Sequence, residues 1–349
     1  MPAFNFSPSN IGAANSDQVR NLQFALRSLG YLKAQIDGEL GPGTHAALSA
    51  LQHDLLENDG RSSAGDGNAP VAVRDFNAGR VSAVTGQADA GLCACIADMM
   101  QDDRFPKLPA SDDPVQANRD AFNKVASLPS DTVPTPFLLG VTLQESDGMH
   151  FHQPGAGDND GFVTVGLDHN NKAAPTAITS RGYGIGQFTL FHHPPRPEEV
   201  SSFISDPAQN VTTAIKELRE KFDGFIIGPA DKADDRIHEA GTGPLRMCQF
   251  APGDPRRMKA CVQCLRDSGV MQIVAGQTPV FAGTSETYQK TQYHAGSYNN
   301  VPVRKNIPCD WPYAVRRYNG SGPNSYDYQA EILIKIAKLQ LLNAVAGGG

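Results

Sequence analysis

"DQVRNLQFALRSLGYLKAQIDGELGPGTHAALSALQHDLL", residues 17–56, carries two apolar stripes on either side of a glycine- and proline-rich loop. Val19, Leu22, Leu26 and Leu29 recur at helical spacing, and Gly30 follows where a helix would stop. "IDGELGPGT" then makes a turn. Thr44 is a candidate N-cap for a second helix, whose buried face would be Ala47, Leu48, Leu51 and Leu55. The stretch therefore predicts a helix, a structured loop and a helix. Downstream lies "VTGQADAGLCACIADMM", residues 84–100. Between them, "ENDGRSSAGDGNAPVAVRDFNAGR", residues 57–80, is rich in Gly, Ser, Asn and Asp and reads as a surface insertion.

The apolar stripe, Leu29-Gly30-Tyr31-Leu32, Asp37-Gly38 and Gly41-Pro42-x-Thr44 arrive in an order that resembles the peptidoglycan-binding module of three short helices. The resemblance implies that residues 84–100 supply the module's closing Gly-x-x-Asp turn and third helix, and it implies a shallow groove for the peptide stems of the bacterial wall, with peptidoglycan as partner. A three-helix packing unit without a ligand is the plainer possibility. "DDRFPKLPASDDPVQ" follows with three prolines, which break helices and stiffen a connection. The expected organisation is a module over residues 14–102, a linker over 103–115 and a second domain over 116–346, the module being separable from the rest.

The second domain contains "FLLGVTLQESDG", residues 137–148, in which Leu138, Val141 and Glu145 share one helical face. Aiming an acid along an apolar face is costly unless the acid is paired or functional. Three strings follow: "PGAGDNDGFVTVGLDHNN" from 154, "ITSRGYGIGQFTLFHHPP" from 178 and "WPYAVRRYNGSGPNSYDYQAEILIKIAKL" from 311. Each alone is weak. In order, Glu-Ser at a helix end, Gly-Ile-Gly-Gln and then Tyr-Asn-Gly before an amphipathic helix resemble the lysozyme-like superfamily, in particular goose-type lysozymes and soluble lytic transglycosylases.

That resemblance covers residues 136–340 in islands. It implies a mainly α protein, in which the three-helix module precedes a lysozyme-like, α-rich domain with long irregular inserts, 228–310 above all. It makes Glu145 the catalytic acid, and Ser146, Asp168, Tyr183, Gln187, Tyr318 and Asn319 residues of the sugar cleft. The chemistry agrees, because glycosidic cleavage needs an undissociated carboxylic acid beside the leaving oxygen. Desolvation and the negative end of a helix both favour that neutral form.

A hydrolase also needs a second carboxylate, for which Asp158 and Asp160 are the favoured candidates and Asp168 the third. "GDNDG" reads equally as a turn rich in Asx residues, and it lacks the acid spacing of an EF-hand calcium loop. Goose-type lysozymes carry an acid just after the glutamine; here Phe188 and Thr189 follow Gln187. The reading is therefore a muramidase cutting the β-1,4 bond between N-acetylmuramic acid and N-acetylglucosamine. Its nearest rival is a lytic transglycosylase, which needs no second acid and leaves a 1,6-anhydro product.

The histidines allow a different chemistry. His150, His152, His169, His192 and His193 lie close in sequence and could serve a zinc peptidase or amidase, although no zinc-hydrolase signature is intact. A wall-binding protein without activity is also compatible with the sequence. No metal or other cofactor is expected for a muramidase.

Bulk properties narrow the partners. A net charge of −7, a pI near 5.7 and no basic cluster with interleaved aromatics argue against nucleic acid. No stretch has the roughly 18 apolar residues of a membrane span. The first residues show neither a charged nor an apolar signal-peptide region. Action at the wall, in the periplasm of a host or target cell, would then suit a phage endolysin or an injected antibacterial effector, with a delivery machine and an immunity protein as partners. Cysteines stand at 93, 95, 248, 261, 264 and 309. The last four could form two disulfides, stay as buried thiols or make a zinc knuckle, disulfides and thiols being preferred because Cys248 and Cys309 stand alone.

Overall fold

The computed structural model of the 349-residue chain describes residues 16–33, 35–61, 68–128, 133–153, 163–167, 177–190, 194–226, 247–251, 254, 264, 271–272, 280–281, 285–288, 296–299, 309–311, 315, 318, 328–329 and 331–339. The protein is helix-rich. Its contacts divide into two compact units: residues 1–122 with 145–210, and residues 123–144 with 211–349.

The first unit is built on α1 (Ser16–Ser28), α2 (Pro42–Glu57) and α3 (Ala90–Gln101). Every residue of the two predicted stripes is buried, and Leu92, Ile96 and Met99 of α3 close the same core. A Schellman motif ends α1: Gly30 sits at φ +80, its N–H donates to the Arg27 carbonyl at 2.9 Å, and Tyr31 N–H reaches the Leu26 carbonyl at 2.8 Å. Thr44 is not the cap of α2. Gly41 holds that position with Pro42 just inside the helix, where a missing N–H costs nothing. Asp89 caps α3 by accepting from Leu92 N–H at 2.8 Å.

Residues 57–80 are not wholly a surface insertion. A 3₁₀ turn, Val73–Phe76, buries Val73 and Phe76 in the three-helix core, and Phe76 meets Phe105 edge-on with ring centroids 5.7 Å apart. The expected linker packs as well. Phe105 belongs to the module core, and Leu108 belongs to a second cluster with Tyr183, Leu190 and Ile204. Leu108 N–H donates to the Ser28 carbonyl at 2.8 Å, so the prolines shape a chain that lies on the helices and does not hang free of them.

Beyond α4 (Pro114–Ser127) and α5 (Thr135–Ser146) comes a three-stranded antiparallel meander: β1 (Val163–Leu167), β2 (Ile178–Tyr183) and β3 (Phe188–Leu190). Tyr183 stands opposite Val163 on one side and Phe188 on the other. This sheet is keyed into the module by Arg181, which is 1% exposed. Its Nε donates to the Gly30 carbonyl at 2.8 Å, its guanidinium lies 4.7 Å from the Tyr31 ring centre, and its Nη2 is 3.8 Å from Asp54 Oδ2. Tyr31 Oη donates to that same Asp54 oxygen at 2.8 Å. Burial foremost, then the Asp54 charge, pushes the Tyr31 phenol well above its ordinary value, so it stays a donor. The Leu-Gly-Tyr-Leu motif is thus the socket for an arginine about 150 residues away.

After a short helix α6 (Pro197–Glu199) and the wide turn Val200–Ile204, α7 (Pro207–Ile226) runs from the first unit into the second. In the second unit the first ten residues of α5 pack on a helical segment, 331–339. A Cβ on Gly140 would lie 2.8 Å from Ile336 Cγ1, so glycine permits the close approach. Lys335 Nζ donates to the Leu143 carbonyl at 2.9 Å, placing a cation at the negative end of α5. Gln144 Nε2 donates to Glu331 Oε2 at 2.6 Å, and Phe137 faces the buried Trp311 with ring centroids 6.4 Å apart. Among the described residues, the region 228–310 contributes two short hairpins, β4 (Met271–Gln272) with β5 (Val280–Phe281), and β6 (Ser285–Tyr288) with β7 (Gly296–Asn299). Among the described residues no helix is long and apolar enough to cross a membrane.

Candidate functional site

Two places in the first unit are candidates for a site. The first is a groove of about 350 Å³ lined by Leu40, His45, Leu48 and residues 86–89. Two buried glutamines shape its walls. Gln23, on the apolar stripe of α1, sends Nε2 to Asp37 Oδ1 (2.7 Å), the Glu39 carbonyl (2.9 Å) and Thr44 Oγ1 (2.9 Å), and its Oε1 accepts from Gly38 N–H (2.8 Å). That amide, foremost, lowers the Asp37 carboxyl below its usual range.

Gln52, on the stripe of α2, does the same for the facing loop. Its Oε1 accepts from Thr85 N–H at 2.8 Å and Gly86 N–H at 2.7 Å, and its Nε2 donates to Thr85 Oγ1 and the Gln87 carbonyl. Gly86 sits at φ +69, and a Cβ there would fall 2.2 Å from His45 Cε1, so the imidazole lies flat against bare backbone. Gln52→Leu keeps the volume but strands buried donors, so it should lower stability by about 2–4 kcal/mol. Urea unfolding at constant m-value checks this.

The second place is the end of α5. Leu138 and Val141 are buried as their shared face requires, while Glu145 is partly exposed. Asp147 at φ +52 and Gly148 at φ +76 turn the chain out of the helix. Ser146 is fully buried and its Oγ donates to the Ile185 carbonyl at 2.8 Å. This bond ties the Glu-Ser helix end to the β2–β3 turn, Gly184–Gln187.

The same turn is gripped from two other sides. Ile185 N–H donates to His150 Nδ1 at 3.1 Å, which fixes the proton on Nε2, and that nitrogen bonds the Ile204 carbonyl at 2.9 Å. Asn210, fully buried in the first turn of α7, accepts from Gly186 N–H at 2.7 Å and donates to the Tyr183 carbonyl at 2.8 Å. A Cβ on Gly184 would strike both the Asn210 amide and the His150 ring at 2.6 Å. Gln187 is held at φ +50, a strained region for a non-glycine residue, with its N–H and its Nε2 both on the Gly184 carbonyl.

Of the residues expected at the site, Glu145, Ser146, Tyr183 and Gln187 fall in the first unit, the last three meeting at this turn. Gln187 and Tyr183 are committed inward: the Gln187 amide folds back on its own turn, and Tyr183 is fully buried, its phenol pushed up by that burial. Tyr318 is buried in the second unit. Asp158, Asp160, Asp168 and Asn319 lie outside the described residues, as do His169, His192 and His193. His150 spends both ring nitrogens on backbone, which is the work of a structural histidine. Among the described residues no three His, Cys, Asp or Glu side chains gather as a metal-binding group.

Sequence reading passed over Gln23, Gln52 and Asn210. Each is an amide on the buried stripe of its helix, as with Asn210 in line with Ala214 and Leu218. A buried amide must find partners, and that was the available signal.

Residues 15–57, comprising α1, the loop pinned by Gln23 and α2, match the family model of a peptidoglycan binding domain. The chain carries a wall-binding module. No curated protein and no solved structure matches the chain. The module makes peptidoglycan a partner and associates the protein with the cell wall.

Proposed function

We propose that the chain is a peptidoglycan glycosidase, a muramidase with Glu145 as general acid, held on its substrate by the N-terminal module. The observation that carries this reading is the Ser146–Ile185 bond, which fixes a partly exposed glutamate at a helix end beside a rigid, strained turn. Protonated Glu145 would give its proton to the glycosidic oxygen as the C1–O bond breaks, leaving positive charge on the sugar ring. A carboxylate-activated water then closes the hydrolytic cycle, Asp158 and Asp160 being the favoured bases and Asp168 the third. Stem peptides would lie in the groove lined by Leu40, His45, Leu48 and residues 86–89, raising the local concentration of glycan.

One observation favours a lytic transglycosylase as second reading. The two residues after Gln187 are Phe188 and Thr189, both in β3, so no acid occupies that place. The sugar's own C6 hydroxyl would then attack C1. Delivery as an endolysin or as an injected effector with an immunity protein fits either reaction. A zymogram with and without EDTA tests the class. A clearing band that persists in EDTA is expected; a band abolished by EDTA would favour a zinc peptidase, and no band would favour a protein that only binds the wall.

A further inference from the structure

One side chain of the module groove is held in place by a rigid seat. His45, near the start of α2, is exposed, while Gly86 against it is buried. A Cβ on Gly86 would lie 2.2 Å from His45 Cε1, 2.5 Å from Nε2 and 2.6 Å from Nδ1. Three ring atoms at nearly equal distance mean that the face of the imidazole, not its edge, rests on Gly86. The ring nitrogens, whose hydrogen bonds lie in the ring plane, therefore point along the groove and not into its floor. Among the described residues nothing donates to or accepts from either nitrogen.

The seat cannot give way. Gln52 Oε1 accepts from Thr85 N–H at 2.8 Å and from Gly86 N–H at 2.7 Å, and Gly86 is held at φ +69. Around the ring the lining is apolar: Leu40, which is 43% exposed, Leu48 and Ala88. Asp89 spends its carboxylate on α3, accepting from Leu92 N–H at 2.8 Å. A mostly apolar groove with one aimed polar ring suits a short peptide with small apolar side chains. Leu40, His45 and Leu48 lie within the residues that match the peptidoglycan binding domain, and residues 86–89 lie beyond them.

We infer that His45 is the specificity-determining contact of this groove, donating to a carbonyl or carboxylate oxygen of a wall peptide, and that Gly86 is the seat that aims it. The inference rests on the reading that stem peptides occupy the groove. Their alanyl methyl groups lie against Leu40, Leu48 and Ala88, and the imidazole fixes the register of the peptide backbone.

The test is an NMR titration of the full-length protein, isotope-labelled at histidine rings and at leucine and alanine methyls, with a soluble tetrapeptide stem freed from sacculi by an amidase. The His45 signal is the one missing from His45→Phe. Shifts at the His45 ring are expected together with shifts at Leu40, Leu48 and Ala88. His45→Phe keeps a flat ring without nitrogens and should weaken the stem about 3–10-fold, the worth of one hydrogen bond, with no matching fall in Tm. Gly86→Ala should push the ring off its seat and weaken the stem by a similar factor. The double variant should bind no worse than either single one, because both remove the same contact. If Gly86→Ala does not fold, His45→Phe decides alone. Methyl shifts without a His45 shift, or unchanged affinity in His45→Phe, would overturn the inference and leave the stem in the groove. No shift at any of these residues would overturn the groove reading with it. No readout depends on glycan cleavage.

Discussion

Glu145→Gln should give a folded protein that still sediments with sacculi yet releases soluble muropeptides about 10²–10⁴-fold more slowly than wild type. The amide keeps the shape of the carboxylic acid but has no proton to give. Folding should survive because the side chain is partly exposed and the helix end is fixed by its neighbour, Ser146. Ser146→Ala is the informative contrast: it breaks a buried 2.8 Å bond and leaves the Ile185 carbonyl without its donor, so stability and turnover should fall together. A Glu145→Gln protein with near-normal turnover would remove Glu145 from the chemistry.

Removing residues 1–110 should unfold what is left of the first unit, residues 111–122 and 145–210, the opposite of what a proline-rich linker suggests. The deletion strips Ile178 of the core it leans on and takes Leu108 from the cluster around Tyr183. It also takes from Arg181 the Gly30 carbonyl, the Asp54 carboxylate and the Tyr31 ring. Exposing apolar side chains that the module covers costs about 1.5–3 kcal/mol each, a large part of the 5–15 kcal/mol that holds a typical domain together. Calorimetry of residues 111–349 reads the outcome. A single sharp transition near that of the full chain would show that the module is only a tether.

That contrast shows where sequence reading succeeds and where it fails. Local periodicity placed α1 and α2, because leucines three and four apart need one shared interior, and the resemblance to the module supplied the third helix. The Gly30 stop followed from the same logic. Thr44 misled because a proline two residues earlier had already opened the helix. Val73, Phe76, Phe105 and Leu108 sit among turn formers and prolines, and nothing local says that a lone aromatic in such company reaches a core. The partner of Arg181 is the least legible of all, since the socket is a helix-end carbonyl, an aspartate and a tyrosine more than a hundred residues upstream. At the site, Ser146 and the Gly-Ile-Gly-Gln turn were readable as motifs. Their bond, and the grip of His150 and Asn210 on the same turn, are tertiary facts.

The central claim is that the chain cuts glycan strands with Glu145 as the acid, and mass spectrometry of purified sacculi digested by the full-length protein tests it most directly. Disaccharide muropeptides are predicted, with reducing N-acetylmuramic acid ends for a hydrolase or 1,6-anhydro ends for a transglycosylase, and both should vanish with Glu145→Gln. Free stem peptides with intact glycan strands would contradict the account, and so would sacculi that bind the protein and remain uncut.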